Sequence, residues 1–218
     1  MKNAVFDHAE SSWGYRQFDV RLFRWMRAGH GARPMLLPLA CAIAHRSWAP
    51  MLLTLVAMAF TLPSGGWMLL QVLVTATVAQ VVSKQCAAAC SAPRPFAIGL
   101  SENHLQHGPR AGLPSTHAAV MGSVVGFMVV AAPGHPWLAV LGAIALATAW
   151  ARVYAGAHFP SDVLLGLGLL ALVTLAGVHS PYVFFGFTLR GLGRVPCLFF
   201  SGMLAAMAYP EQPQQQAL

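Results

Sequence analysis

From residue 34 to residue 178 the chain alternates long apolar stretches with short polar breaks. Residues 34–62 are apolar apart from His45-Arg46-Ser47. That break leaves about eleven residues ahead of it, too few for the ~20 that cross a bilayer as a helix. The stretch 34–45 therefore reads as an interfacial or half-inserted helix, and 47–62 as the first span. Pro63-Ser64-Gly65-Gly66 is a turn, and the second span covers 66–88. Spans three to five are expected over 115–132, 137–155 and 161–178, joined by the turn Pro133–Pro136 and the link Gly156–Pro160. His179-Ser180-Pro181 turns the chain into a sixth segment, 182–209, which Arg190–Arg194 interrupts.

Ahead of these stretches the pattern changes. Over residues 16–29, Phe18, Val20, Leu22, Phe23 and Met26 sit among Arg16, Arg21, Arg24 and Arg27. That is a basic amphipathic helix lying on a membrane surface, or a solvated helix packed on the rest of the fold. Helices satisfy their backbone groups within lipid. The expected fold is all-α: a polytopic membrane helix bundle of five to six spans with an N-terminal amphipathic interfacial helix. Residues 1–15 form a polar N-terminal segment, 16–209 the membrane domain, and 210–218 a polar, disordered tail. No internal repeat is visible.

Composition sharpens this. The chain is 57% hydrophobic and 9% charged, against roughly 25% charged for a soluble domain. Too few charges remain to cover a soluble surface. The net charge of +7 suits anionic headgroups or an anionic substrate. No long basic run supports a nucleic-acid partner. The four cysteines, Cys41, Cys86, Cys90 and Cys197, form no CxxC pair. They read as small buried thiols, and no metal site is expected. The first thirty residues hold no apolar h-region, so no cleavable signal peptide is expected.

Residues 89–113 make a loop long enough to suggest function, carrying Arg94, His104, His107 and Arg110. If the spans alternate, this loop and the link 156–160 emerge on one side. Lys84, Arg94, Arg110, His117, Arg152, His158 and Asp162 then gather at one face. Ionisable residues at membrane depth are costly and are candidates for function. Pro114-Ser115-Thr116-His117 opens the third span. A helix start there, capped by Ser115, offers free N–H groups and a positive dipole end to an anion. In the second cluster, Arg152, His158 and Asp162 are spaced R-x5-H-x3-D. A carboxylate bonded to one imidazole nitrogen leaves the other free to attack, and Arg152 offers a planar fork to phosphate oxygens. The combination is a phosphoryl-transfer site without a metal ligand set.

At these residues the sequence resembles the type 2 phosphatidic acid phosphatase family of membrane lipid phosphatases. The family motifs K-x6-RP, PSGH and SR-x5-H-x3-D appear as Arg94-Pro95, Pro114–His117 and Ala151-Arg152 through His158 to Asp162. The resemblance covers about 84–162. It implies His158 as the nucleophile that forms a phosphohistidine, Asp162 as its orienting group, and His117 as the acid, then base. Arg94, Arg152, Ser115, Thr116 and Lys84 would hold the phosphate. No cofactor and no metal are implied. There are three departures. Lys84 precedes Arg94 by ten positions and Ala87 takes the usual lysine place, so Lys84 joins the set only by reaching across one helical turn. Thr116 replaces the motif glycine, and Ala151 replaces the serine before Arg152.

Within the family, the strings RAGLPSTHA and ARVYAGAHFPSDVLLG look most like those of small bacterial undecaprenyl-pyrophosphate phosphatases. His107 and Arg110 are then candidate substrate contacts. The implied partner is a phosphorylated lipid in the bacterial cytoplasmic membrane. Lipid A phosphatases or phosphotransferases and phosphatidylglycerophosphate phosphatases share the constellation. A non-catalytic anion-binding membrane protein is the remaining alternative, against which the intact His117, His158 and Asp162 speak. The resemblance implies a periplasmic site, whereas Arg27, Arg33 and Arg46 on the site's side favour the cytoplasm under the positive-inside rule. Oligomeric state leaves no mark on the sequence.

Overall fold

The computed structural model describes residues 17–26, 28–90, 92–108 and 111–179. Seven α-helices lie within them: α1 (Gln17–Trp25), α2 (Leu37–Arg46), α3 (Trp48–Thr61), α4 (Gly65–Ala89), α5 (Thr116–Ala131), α6 (Trp137–Tyr154) and α7 (Pro160–His179). Two short 3-10 turns, Gly29–Gly31 and Pro95–Ile98, punctuate the connections. Among the described residues there is no strand.

The four apolar stretches from residue 65 onward each became one helix, with ends close to those the hydropathy implied. The stretch 34–62 became two, α2 and α3, bent by 49° about Ser47. By length and composition, α4 and α6 can each cross a membrane, and the bent pair makes a third span if it is counted as one. This is fewer than the five to six spans read from sequence. The difference lies partly in α5, an apolar helix of 16 residues. The expected sixth segment, the N-terminal segment 1–15 and the tail 210–218 lie outside the described residues.

The tightest packing joins α5 to α7. A Cβ on Gly122 would collide with the Leu167 backbone, and one on Gly126 would come within 3.0 Å of the Ala171 carbonyl. From the other side, a Cβ on Gly166 would stand 2.7 Å from the Ser115 carbonyl. Small residues at the crossing let two apolar helices touch backbone to backbone, the contact that holds helices together where lipid supplies no hydrophobic drive. The core proper lies further along: Met51, Leu55 and Met58 of α3, Val72 of α4, Met121, Val124, Phe127 and Met128 of α5, and Leu141 of α6. A second cluster, Val20, Phe23, Ala118, Val153, Phe159 and Val163, packs α1 against the starts of α5 and α7.

The loop after α4 and the link after α6 reach the same end of the bundle, as Gly112 beside Asp162 demonstrates. The opposite end is marked by Thr61 Oγ1 and His135 Nε2, 3.3 Å apart. Gly122→Val should therefore destabilise the detergent-solubilised protein by about 1–3 kcal/mol. Gly142→Ala, where an added Cβ meets nothing within 4 Å, should be neutral or stabilising by up to about 1 kcal/mol. Thermal unfolding of the two variants tests this; equal melting temperatures would refute the crossing.

Candidate active site

Arg152 and His158 share one helix end. α6 stops at Tyr154, and Gly156 takes φ 74°, a left-handed turn that glycine adopts without a Cβ penalty. The Ala157 and His158 amides both donate to the Arg152 carbonyl, at 3.1 and 3.3 Å. This is a C-terminal cap in which carbonyls of the last turn are satisfied by the residues that leave the helix. The R-x5-H spacing is thus the length of that cap, and it folds His158 back over the helix that carries Arg152.

His158 is followed at once by the start of α7. Pro160 opens the helix with its fixed φ. Asp162, in the first turn, accepts the Phe159 amide at 3.0 Å through Oδ2, the acidic half of a capping box. The Asp162 carbonyl receives the Ser115 amide at 3.0 Å, which ties the start of α5 to the start of α7. Asp162 and His158 are 0% and 1% exposed, so neither can exchange its partners for water.

The imidazole of His158 is held on both nitrogens. Nδ1 lies 2.9 Å from the Gly112 carbonyl and 3.8 Å from Asp162 Oδ2. Nε2 lies 3.2 Å from Arg94 Nη1. A carbonyl can only accept and a guanidinium only donate. The ring is therefore neutral, protonated on Nδ1, with its Nε2 lone pair aimed at Arg94. Burial lowers the His158 pKa to about 4, Arg152 and Arg94 adding to the effect and Asp162 opposing it. The 2.9 Å partner of Nδ1 is thus a backbone carbonyl, with the expected carboxylate 3.8 Å away behind it.

The loop supplies the rest of the wall. Arg94 also donates to the Ala157 and Ala111 carbonyls, each at 3.3 Å. Gly112 is fixed by its amide bond to the Ala92 carbonyl at 2.8 Å, and a Cβ there would come within 3.0 Å of Asp162 Oδ2. His107 is brought inward by the Asn103 side chain, which bonds both the His107 amide and its carbonyl at 2.8 Å. Its ring stands edge-on to His158 at 6.2 Å, and its Nε2 meets Arg152 Nη2 at 2.9 Å. Burial and the neighbouring arginines push the His107 pKa down to about 3, so it accepts from Arg152 as a neutral ring.

Around this cluster three buried polar atoms have no partner among the described residues: Ser115 Oγ, His117 Nδ1 and Arg152 Nε. Leaving such a group unpaired costs about 1–3 kcal/mol. Three such atoms lie at one end of the bundle, with the Arg94 guanidinium and the N-terminus of α5 at the same end, and together they offer what a bound anion would satisfy. Of these, His117 sits in the first turn of α5 within electrostatic reach of Arg152 and His158.

Of the residues picked out in the sequence, Arg94, His107, Ser115, His117, Arg152, His158 and Asp162 come together. Thr116 is half-buried at the start of α5. Lys84 is exposed, because the inward stripe of α4 runs through Thr75, Ala79 and Ser83 and position 84 falls off it. Arg110 lies outside the described residues. His104 Nδ1 lies 4.0 Å from Glu102 Oε2. Sequence reasoning missed Gly112, which acts through its carbonyl and carries no side-chain signal. It also passed over Asp19 of α1, whose carboxylate bonds Ser161. A lone acid amid four arginines, Arg16, Arg21, Arg24 and Arg27, was the available clue.

The family model of the PAP2 superfamily matches residues 65–185, a range that contains the whole cluster. Among solved structures, the chain is similar to the transmembrane PAP2-type phosphatidylglycerolphosphate phosphatase from Bacillus subtilis, with 22% identity, a TM-score of 0.57, and coverage of 80% of this chain and 90% of that one. No curated protein matches the chain in sequence.

Gly112→Ala should disturb Asp162 and Arg94 together. The expected result is orthovanadate affinity weakened by roughly tenfold or more, read by titration calorimetry, since displacements near 1 Å carry losses up to about a hundredfold. Gly108→Ala, where a Cβ meets nothing, should bind as the parent does. Equal affinities in both variants would remove Gly112 from the site.

Proposed function

The chain belongs to the PAP2 superfamily, and on that premise we propose that it is a metal-independent membrane lipid phosphatase, hydrolysing undecaprenyl pyrophosphate to undecaprenyl phosphate through a phosphohistidine on His158. The observation that carries the reading is the neutral His158 ring with Nε2 facing Arg94, flanked by the unpartnered Ser115, His117 and Arg152 atoms.

The steps follow from these groups. A phosphate entering the site takes the Arg94 guanidinium away from Nε2 and finds Arg152 Nε, Ser115 Oγ and the first amides of α5. Nε2 attacks phosphorus, forming the P–N bond as the P–O bond to the leaving lipid phosphate breaks. His117 gives that oxygen its proton. His117 then takes a proton from water, the water oxygen attacks phosphorus, and the P–N bond breaks to release inorganic phosphate. Fixed donors aimed at the phosphoryl oxygens stabilise the charge that develops. Arg152 Nη2 meets His107 while its Nε is left for the phosphate. His107 thus adjoins a phosphate-holding group, which supports a pyrophosphate substrate. The site is proposed to face the periplasm, where the released carrier is recycled.

A second reading has its own support. The similar solved structure is described as a phosphatidylglycerolphosphate phosphatase, so that lipid is the alternative substrate. A lipid A phosphatase or a phosphotransferase would use the same residues and differ only in its products.

Phosphate release by the detergent-purified chain from undecaprenyl pyrophosphate, phosphatidylglycerophosphate, phosphatidic acid and lipid A ranks these readings. Release should survive EDTA and vanish in His158→Ala. His107→Ala should lower kcat/KM for the pyrophosphate by about tenfold or more relative to phosphatidic acid, the order expected when a buried charge-assisted bond is lost. A wild-type rate in His158→Ala would sink the mechanism.

The pH profile gives a separate check. A lowered pKa keeps the nucleophile neutral below the ordinary histidine value of about 6.5. The kcat/KM of the free enzyme should therefore lose activity only as the pH falls toward about 4, where His158 protonates. An acid limb at the ordinary value, unmoved in His117→Gln, would mean that the nucleophile is not held as described.

A further inference from the structure

Only six acidic residues occur in the chain, and two of the described ones, Asp19 and Asp162, are buried. Burying a carboxylate is costly unless its oxygens are bonded. Asp162 belongs to the site. Asp19 comes from α1, more than a hundred residues away, yet it ends at the same helix start. Its Oδ1 accepts the Ser161 amide at 3.0 Å and its Oδ2 accepts the Ser161 hydroxyl.

The position explains the contact. Phe159 occupies the cap position of α7 and has no side-chain acceptor, and Pro160 follows it with no N–H. The Ser161 amide is then an orphan donor of the first turn. An ordinary helix satisfies it with its own cap side chain. Here the acceptor is delivered from α1. The remainder of the inner face of α1 packs along the same segment: Phe23 meets Phe159 edge-on with ring centroids 5.8 Å apart, and Val20 joins Val163 in one buried cluster. Just past α1, the His30 amide bonds the Leu100 carbonyl at 3.3 Å, and the neighbouring Ser101 hydroxyl bonds the Gly156 carbonyl at 3.0 Å. Positions 156, 159, 161 and 163 are thus gripped from outside, while His158 and Asp162, between them, face inward.

We propose that Asp19 is a positioning residue for catalysis: it caps α7 in trans and so fixes the His158–Asp162 segment against Gly112 and Arg94. α1 is then a brace on the catalytic link as well as an amphipathic surface helix. The catalytic consequence rests on the phosphatase reading above; the structural one does not.

The test uses the full chain in detergent, with Asp19→Ala, Asp19→Asn, Ser161→Ala and the double variant Asp19→Ala/Ser161→Ala. Two measurements are made on each: amide hydrogen exchange, and phosphate release from the best of the four lipids. In Asp19→Ala, amides of 158–165 should exchange on the order of tenfold faster, the size of a lost helix cap, with α4 and α6 unchanged. Its kcat should fall on the order of ten- to a hundredfold with KM within about twofold. Asp19→Asn keeps an oxygen for the Ser161 amide and should restore most of both. Ser161→Ala loses only the hydroxyl bond and should be milder, and the double variant should be no worse than Asp19→Ala alone.

Unchanged exchange at 158–165 in Asp19→Ala would overturn the proposal. So would a loss of protection spread evenly over the bundle, or strictly additive effects of the two sites. If Asp19→Ala does not fold, Ser161→Ala decides: faster exchange confined to 158–165 upholds the brace, and parent-like exchange removes it. Should the parent release no phosphate from any lipid, the phosphatase reading falls, and the exchange results judge the brace alone.

Discussion

The site depends on how closely α5 and α7 approach. Gly122, Gly126 and Gly166 leave no room for a Cβ between the two helices. With the axes that close, the helix starts lie side by side, and the Ser115 amide reaches the Asp162 carbonyl at 3.0 Å. A larger residue at the crossing would separate Pro114–His117 from His158–Asp162. The chemistry would then be split between two helix ends that no longer share a ligand. Packing at the crossing, well inside the bundle, therefore sets the geometry at its end.

Each turn at that end serves two purposes. The cap that closes α6 on Gly156 also delivers His158, and the cap that opens α7 on Asp162 also places a carboxylate behind it. The loop contributes through its backbone as much as through its side chains, since the Gly112 carbonyl holds the tautomer that leaves the lone pair on Nε2, facing Arg94. The unpaired atoms, Ser115 Oγ, His117 Nδ1 and Arg152 Nε, are a cost to the folded protein that a bound anion would remove. Stability given up at a site is common where function needs unpaired groups.

Much of this was legible in the chain. The helices follow hydropathy because bilayer-length apolar stretches have few alternatives to helix. R-x5-H-x3-D was legible because its spacing is local: a helix cap, a link and a first turn fix Arg152, His158 and Asp162 without help from the rest of the fold. Lys84, which is exposed, marks the limit of local spacing. Distance along a helix says how far a side chain sits from a motif, whereas the face it occupies is decided by which stripe packs inward, here Thr75, Ala79 and Ser83. The break at Ser47 was visible as a polar interruption, but its 49° bend was not.

By itself the sequence determined the helical composition, the two local clusters and the chemistry of their side chains, since each rests on contacts within a few residues. Tertiary structure alone decided that His158 Nδ1 meets a carbonyl from residue 112, that His107 reaches Arg152, and that Asp19 caps α7. These contacts join residues 46, 45 and 142 positions apart. Their partners are chosen by the close crossing of α5 and α7 and by the folding of the loop and α1 over one end of the bundle. No local spacing encodes that choice.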